Sequence, residues 1–336
     1  MTEELHPEVA ILMATHNGAR YVGAQIESLK DNMTAFTLHW LDDQSTDETR
    51  SLVREAASAN GIKVCEWHQE KRLGASSSHF KLIELVAADI YMFCDQDDLW
   101  QPRKIDAMVK SILPQIHLPL LFFSDPLVFN DEQVTKVRYQ SEAQYGGRDT
   151  LRSLESHPPF VHPGAPSHTQ GFTRALRSIF LRHAAIADKY AAGYDCWMYT
   201  IAAAIGAARL LEDVPTSLYR QHQDSALGML SQEFGSEGVL KRWRLARFLR
   251  TLLHRHAHGF LLSIDTLPQS EHLARFRELA KLIERLGHRQ SPLIVVHIIM
   301  KRALYLPLNS AFWLAASCII SDADFADEGM SARKFT

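Results

Sequence analysis

Three short apolar runs in the first hundred residues each end in a cluster of acids and small polar residues. That repetition constrains the fold more than anything else in the chain. Val9 to Met13 runs into Thr15-His16-Asn17-Gly18, Phe36 to Leu41 into Asp42-Asp43-Gln44-Ser45-Thr46-Asp47, and Ile90 to Phe93 into Asp95-Gln96-Asp97-Asp98. Between them apolar residues recur at helical spacing, as in Tyr21, Val22, Ile26 and Leu29, and again in Leu52, Val53 and Ala56. Lys63 to Trp67 and Leu120 to Phe123 read as further strands, Phe80 to Val86 as a helix, and Pro102 suits a helix start. Strand alternating with helix predicts an α/β fold with a Rossmann-like, mostly parallel sheet flanked by helices. Ligands of such sheets gather beyond the carboxyl ends of the strands, and all three polar clusters fall there.

The 336 residues suffice for one large domain or a domain with an appendage, and 46 % apolar residues allow an ordinary core. A net charge of −3 provides no broad basic field, so nucleic acid is not an expected partner. Cys65, Cys94, Cys196 and Cys318 are scattered and form no CxxC pair, which predicts buried thiols instead of a disulfide frame or zinc site. The opening Met-Thr-Glu-Glu-Leu-His is acidic and lacks the cationic start and apolar run of a secretory signal. The expected location is cytoplasmic. From about 130 to 170 the pattern weakens around Gly146-Gly147, Pro158-Pro159, Pro163 and Pro166, as loops over a site would. Regular patterning returns over Arg174 to Ala192, Cys196 to Ile205 and a strand-like Val214 to Tyr219.

Asp95 and Asp97, two residues apart at the end of a buried strand, can meet one hard cation or its waters. Mg2+ or Mn2+ there would grip a diphosphate and neutralise charge on a leaving group. The same triplet also reads as a solvated acidic loop. Ser45 or Thr46 suits a helix N-cap with acids in the first turn. Asp42 and Asp43 precede it, where a carboxylate can accept from a nucleobase or ribose.

Together these segments resemble the family-2 nucleotide-sugar glycosyltransferases. The matching residues are Ala14-Thr15-His16-Asn17-Gly18, Asp42 to Asp47, Leu73-Gly74 and Phe93 to Trp100. Gln170-Gly171, Asp195-Cys196-Trp197 and Tyr219-Arg220-Gln221-His222 look like the branch with bacterial rhamnosyltransferases, so the resemblance spans residues 9–225. It implies a GT-A fold and an inverting transfer of a sugar, rhamnose in that branch, from a nucleotide-diphosphate donor. The acceptor it implies is a glycan or polyprenyl-linked hydroxyl in surface polysaccharide synthesis. It assigns Asp43 to the base, Asp97 to the metal, Asp95 to ribose or metal, Asp195 to the general base, and His222 to diphosphate or metal. Thr15, His16, Asn17 and Arg72 fall on the donor side. The family usually has Tyr where His16 stands and Gly where Gln44 stands; His16 retains a ring able to stack on a pyrimidine. Gly74 to Phe80 also departs from the Asn-Phe of relatives.

A domain boundary is expected near residue 230, separating a catalytic domain of residues 1–230 from a helical region of residues 231–336. Lys241, Arg242, Arg244, Arg247, Arg250 and Arg255 stand with no acid among residues 241–260, while Leu245, Phe248, Leu249 and Leu252 share a helical face. Such a helix suits an anionic membrane surface, or packs on the catalytic domain with its cations solvated. Residues 293–320 are apolar but broken by Lys301-Arg302, Pro307 and Asn309, which favours interfacial contact over a span. Two other functions compete. Tyr91 to Asp98 fits the start of a haloacid-dehalogenase-type phosphotransferase with Asp95 as nucleophile. A non-catalytic, membrane-associated nucleotide-binding module is the other. A dinucleotide oxidoreductase is disfavoured, because no GxGxxG follows the first strand.

Overall fold

The computed structural model describes residues 6–129, 134–138, 165–220 and 239–284. These fall into two compact units. The first contains residues 6–129, 134–138, 165–184 and 207–220, and the second residues 185–206 and 239–284.

The first unit is built on a seven-stranded sheet. In chain order its elements are β1 (Val9–Thr15), α1 (Val22–Ser28), β2 (Thr37–Asp42), α2 (Thr49–Ala59), β3 (Val64–Trp67), α3 (Ala75–Leu85), β4 (Ile90–Cys94), β5 (Leu99–Trp100) and α4 (Lys104–Ile112). Then follow β6 (Leu121–Phe123), β7 (Leu127–Phe129), β8 (Val134–Arg138), β9 (Gly171–Thr173), α5 (Arg174–Leu181), and, after the second unit's first segment, β10 (Ala208–Leu210) and β11 (Ser217–Arg220). The sheet order is β10-β6-β9-β4-β1-β2-β3, and a smaller sheet runs β5-β11-β7-β8. β1 pairs in parallel with β2 and β4, and β2 with β3, so the three polar clusters emerge at one edge, as expected.

β1 lies inside the sheet between β4 and β2, and nearly every residue of it is buried. Ile11, Met13, Ile90, Met92 and Trp40 join Val22, Ile26, Val53, Ile105 and Met108 in one cluster. Near β4 and β9, Tyr91 and Phe172 stack at 4.9 Å, and Phe80 stacks on Phe180 at 5.4 Å.

β9 departs from the parallel pattern, running antiparallel between β4 and β6. Gly171 makes the insertion possible, since a Cβ there would lie 2.9 Å from the Tyr91 carbonyl oxygen and closer still to a ring carbon of Phe122. Thr173 ends the strand and caps α5, its hydroxyl accepting from Leu176 N. A cap of this kind is worth about 1 kcal/mol.

The expected Ser45 or Thr46 cap of α2 is not formed. The helix starts later, at Thr49, and the Asp47 carboxylate accepts from Thr49 N at 3.1 Å. Ser45 is turned instead to Asp42, its hydroxyl donating to Oδ1 at 2.6 Å.

In the second unit α6 (Ala184–Tyr190, its first residue at the boundary) is followed by α7 (Tyr194–Ala204), α8 (Val239–Ser263) and α9 (Leu273–Glu284). α8 buries Leu253, His256, Ala257 and Phe260 within this unit, and α9 buries Phe276, Leu279 and Ile283. Of the cationic face read from the sequence, Arg255 donates to the Lys189 carbonyl. Among the described residues no helix is long and apolar enough to cross a membrane; residues 293–320 lie outside them. Cys65, Cys94 and Cys196 are free thiols, and Cys318 is also outside the described residues.

Candidate functional site

The loops after β1 and β2 are laced together by side chains meeting backbone groups. Asp43 N donates to Thr15 O at 2.7 Å, Asn17 N to Ser45 Oγ at 2.9 Å, and Thr46 N to Asn17 Oδ1 at 2.9 Å. Asn17 adopts a left-handed φ of 46°, which its short polar side chain tolerates. The Thr15 hydroxyl is spent inside the fold: it accepts from Trp40 Nε1 at 2.9 Å and donates to Asp42 Oδ1 at 3.0 Å. Asp42 also receives Arg50 Nε at 2.6 Å. Burial pulls the Asp42 pKa upward, but hydrogen bonds from Ser45, Arg50 and Thr15 prevail and hold it below the usual carboxylate range. Asp42 is therefore a brace, and its neighbour Asp43 faces a different set of partners.

Asp43 Oδ1 accepts from Leu73 N at 2.7 Å and from Gln69 Nε2, and Oδ2 accepts from Gly74 N at 2.7 Å. Arg72 Nε lies 4.0 Å from Oδ2, with its side chain half exposed. A carboxylate offers roughly four acceptor directions, so the turn at residues 69–74 already occupies most of them. His16 Nδ1 sits 2.8 Å from the Asp43 carbonyl, which only accepts, so this nitrogen carries the proton. Asn17 Nδ2 lies 3.3 Å from the opposite ring nitrogen.

The acid loop after β4 is held from three directions. Ser167 donates its hydroxyl to Asp95 Oδ2. Gln96 meets the His16 backbone, accepting from His16 N at 3.0 Å and donating to His16 O at 3.3 Å. Arg220 donates from Nε to the Asp97 carbonyl at 2.7 Å and from its backbone N to Asp98 Oδ1 at 2.9 Å. The Arg220 guanidinium lies 4.9 Å from the Tyr21 ring centroid and 4.4 Å from that of Phe129. Asp95, Gln96 and Asp97 are half-buried while Asp98 is enclosed.

Behind the loop sits a buried polar layer. Lys104 Nζ donates to His168 O at 2.6 Å and Ser217 Oγ at 2.8 Å, and lies 3.5 Å from the Trp100 ring centroid. Burial pushes the Lys104 pKa down to about 7 and that of His168 down to about 3. Asp98 is raised well above the carboxylate range, first by burial, then by the negative charges of Asp97 and Asp95. His168 Nδ1 and Asp98 Oδ2 are 3.3 Å apart.

Among the described residues no three His, Cys, Asp or Glu side chains converge as a complete metal cage. The donor set nevertheless fits a hard divalent cation. Asp95 and Asp97 supply half-exposed carboxylates two residues apart. Mg2+ takes one or two carboxylates and completes its shell with water and phosphate. His222, the further ligand suggested by the sequence, lies outside the described residues.

Asp195 belongs to the second unit. It occupies the first turn of α7, and its Oδ1 accepts from Cys196 N at 2.8 Å. Burial, and then the adjacent Asp195 charge, push the Cys196 thiol well above its ordinary pKa. His256 of α8 fixes the approach to this helix. Its Nδ1 accepts from Ala192 N at 3.0 Å, and its Nε2 lies 3.1 Å from the Thr200 hydroxyl.

Sequence reasoning assigned no role to Gln96, Lys104, Ser167, His168 or Arg220. Gln96 and Arg220 stood inside motifs that were legible, whereas nothing local to Lys104, Ser167 or His168 announces their burial.

Comparison with known proteins bears on the same segments. Residues 10–116 match the model of Glycosyl transferase family 2, from β1 past α4. A dTDP-rhamnosyl transferase of Shigella flexneri, RfbG, is 24 % identical over 228 residues, covering 64 % of this chain and 73 % of the relative. An uncharacterised glycosyltransferase of a Nostoc species is 22 % identical over 136 residues, 40 % of this chain and 41 % of its own length. The mannosyltransferase PcManGT from Pyrobaculum calidifontis, solved with GDP-Man and Mn2+, superimposes with a TM-score of 0.51 at 16 % identity, covering 94 % of this chain and 85 % of that one. The matched segment and the rhamnosyl transferase relative support a family-2 glycosyltransferase, and the superposition shows the GT-A fold.

Proposed function

We propose that the chain is an inverting, metal-assisted glycosyltransferase. It moves a sugar, rhamnose on the strength of the Shigella relative, from a nucleotide-diphosphate donor to a hydroxyl of a glycan or polyprenyl-linked acceptor in surface polysaccharide synthesis. The observation that carries this reading is the pairing of Gln96 with the His16 backbone, which joins the Asp43 loop to the Asp95–Asp97 loop at one edge of the sheet. A donor has a base at one end and a diphosphate between its ribose and its sugar, and it needs both loops.

In this reading the remaining acceptor capacity of Asp43 takes a base N–H, with the His16 ring and Asn17 beside it and Thr15 bracing from behind. Arg72, exposed near Asp43, is free to swing to phosphate. Asp97 and Asp95, with His222, would hold Mg2+ or Mn2+, which when bound supplies charge neutralisation for the departing diphosphate. Asp195 takes the proton from the acceptor hydroxyl as that oxygen attacks the anomeric carbon opposite the nucleotide. The protein works in the cytoplasm, and the cationic stretch 241–255 brings it to the anionic inner membrane face, where a polyprenyl-linked acceptor resides.

A hydrolysis and transfer screen across UDP-, dTDP- and GDP-sugars with Mn2+ or Mg2+ tests the proposal. Turnover of one donor class, abolished by chelator, is expected. No turnover of any donor with either metal would overturn it. An aspartyl-phosphate trapped on Asp95 would instead favour phosphotransfer.

A further inference from the structure

We infer that Gln96 is a positioning residue that couples the base end of the donor site to its cation end. This rests on the donor site proposed above. Gln96 stands between the two carboxylates of the acid loop, yet its side chain is turned away from them. It grips the backbone of a residue eighty positions away on both sides, accepting from His16 N at 3.0 Å and donating to His16 O at 3.3 Å. A primary amide carries both the acceptor and the donor that this requires. The fit is close: a Cβ on Gly18 would lie 2.6 Å from Gln96 Cδ, so the glycine makes room for the amide.

His16 is in turn tied through Nδ1 to the Asp43 carbonyl, and Asp43 grips Leu73 N and Gly74 N. The route from cation to base is therefore short: Asp95 and Asp97 flank Gln96, Gln96 holds His16, and His16 holds Asp43. A shift of the acid loop on taking up a cation moves the peptide that frames the base. By reciprocity, a base seated against His16 holds the acid loop in place. The pair is specific to this junction, because Asp95 and Asp97 have their own supports in Ser167 and Arg220.

The test is calorimetry on the full chain with dTDP, UDP and GDP as probes, each with and without Mn2+. The quantity read is the ratio of the two affinities within each variant, which a partial loss of folded protein leaves unchanged. Mn2+ is expected to strengthen nucleotide binding in the parent chain. In Gln96→Ala that enhancement should fall by at least about 5-fold, the lower end of ordinary inter-site coupling. Gly18→Ala, which evicts the amide and leaves Gln96 in place, should give a similar loss. Gln96→Glu keeps the acceptor and loses the donor, so it should fall between. If Gln96→Ala does not fold, Gly18→Ala and Gln96→Glu carry the test. An enhancement equal to the parent's in the folded variants would overturn the inference while leaving the donor site intact. A parent chain whose nucleotide binding ignores Mn2+ would overturn the metal-assisted reading and this inference with it.

Discussion

Gly193 and Asp195 are so close that a Cβ on the glycine would stand 2.7 Å from the carboxylate Oδ1. The position of that carboxylate thus depends on a missing side chain two residues earlier, not on backbone strain, since Gly193 has an extended φ of −169°. Gly193→Ala should push Asp195 out of place without disturbing the buried body of α7. A misplacement of about 1 Å can cost about 100-fold in rate, so transfer should drop by roughly that factor with the melting temperature nearly unchanged. Initial rates and a thermal melt check both halves.

Asp195→Asn separates a base from a helix-terminal acceptor. Asn accepts from Cys196 N as well as Asp does, so folding should be preserved. If Asp195 is the base, turnover should fall by roughly 100- to 10,000-fold, with donor affinity little changed. Near-normal transfer in this variant would remove the role.

Asp97→Ala should leave the hydrogen bond from Arg220 Nε in place, because it ends on the Asp97 backbone carbonyl, which alanine retains. The loop should remain supported while losing a cation oxygen. Mn2+-dependent nucleotide affinity should collapse, and chelator should then make no further difference. Titration with and without chelator measures this.

Asp43→Asn has two consequences that can be told apart. The amide keeps one acceptor, but its NH2 now faces a backbone N–H of Leu73 or Gly74, both of which need an acceptor. Leaving such a donor unsatisfied costs about 1–3 kcal/mol. Nucleotide affinity should fall and so should stability. A drop in affinity alone would mean that the turn re-forms without Asp43.

His256 predicts an acid limb in the stability of the second unit. It is fully buried, and burial lowers its pKa to about 3. The unfolded chain takes up this proton near pH 6.5, so between those values the unfolded state binds more protons and stability falls as pH falls. Its contribution is complete above about pH 6.5 and is reduced by about 2 kcal/mol at pH 5. Trp197, 5.3 Å from the His256 ring, is a fluorescent reporter beside it. Urea denaturation at pH 7.5 and pH 5 should show a steeper loss for the parent chain than for His256→Asn.

The sequence announced the strands because their apolar runs are short and sharply ended, and it announced the acids because they terminate those runs. Order within the sheet was less accessible. β9 is three residues long, and nothing in Gly171-Phe172-Thr173 says that it will run antiparallel between two strands far earlier in the chain. Ser45 looked like a cap because caps are recognised by residue type, but Asp42 beside it needed a donor and took the hydroxyl. Lys104 was invisible for a related reason. A lysine in a first helical turn reads as solvated until a distant carbonyl, here that of His168, lies over it. The proposed roles of Asp43, Asp95, Asp97 and Asp195 rest on family pattern; their partners became visible only with the fold.

The supports of the acid loop also have an order in time. His16 precedes it by eighty positions, while Ser167 and Arg220 follow it by about seventy and one hundred and twenty. A ribosome that has delivered residues 10–116 has delivered the whole family-matched segment and neither of the later supports. Contacts this distant stabilise a chain only after the entropy of closing long loops has been overcome. On a nascent chain the carboxylates of the loop exist well before the residues that aim them. A fragment cut after residue 116 would retain the strands that bear the acids and lack the later grips that hold them. The support of the acid loop is thus completed late in synthesis, once residue 220 has been added.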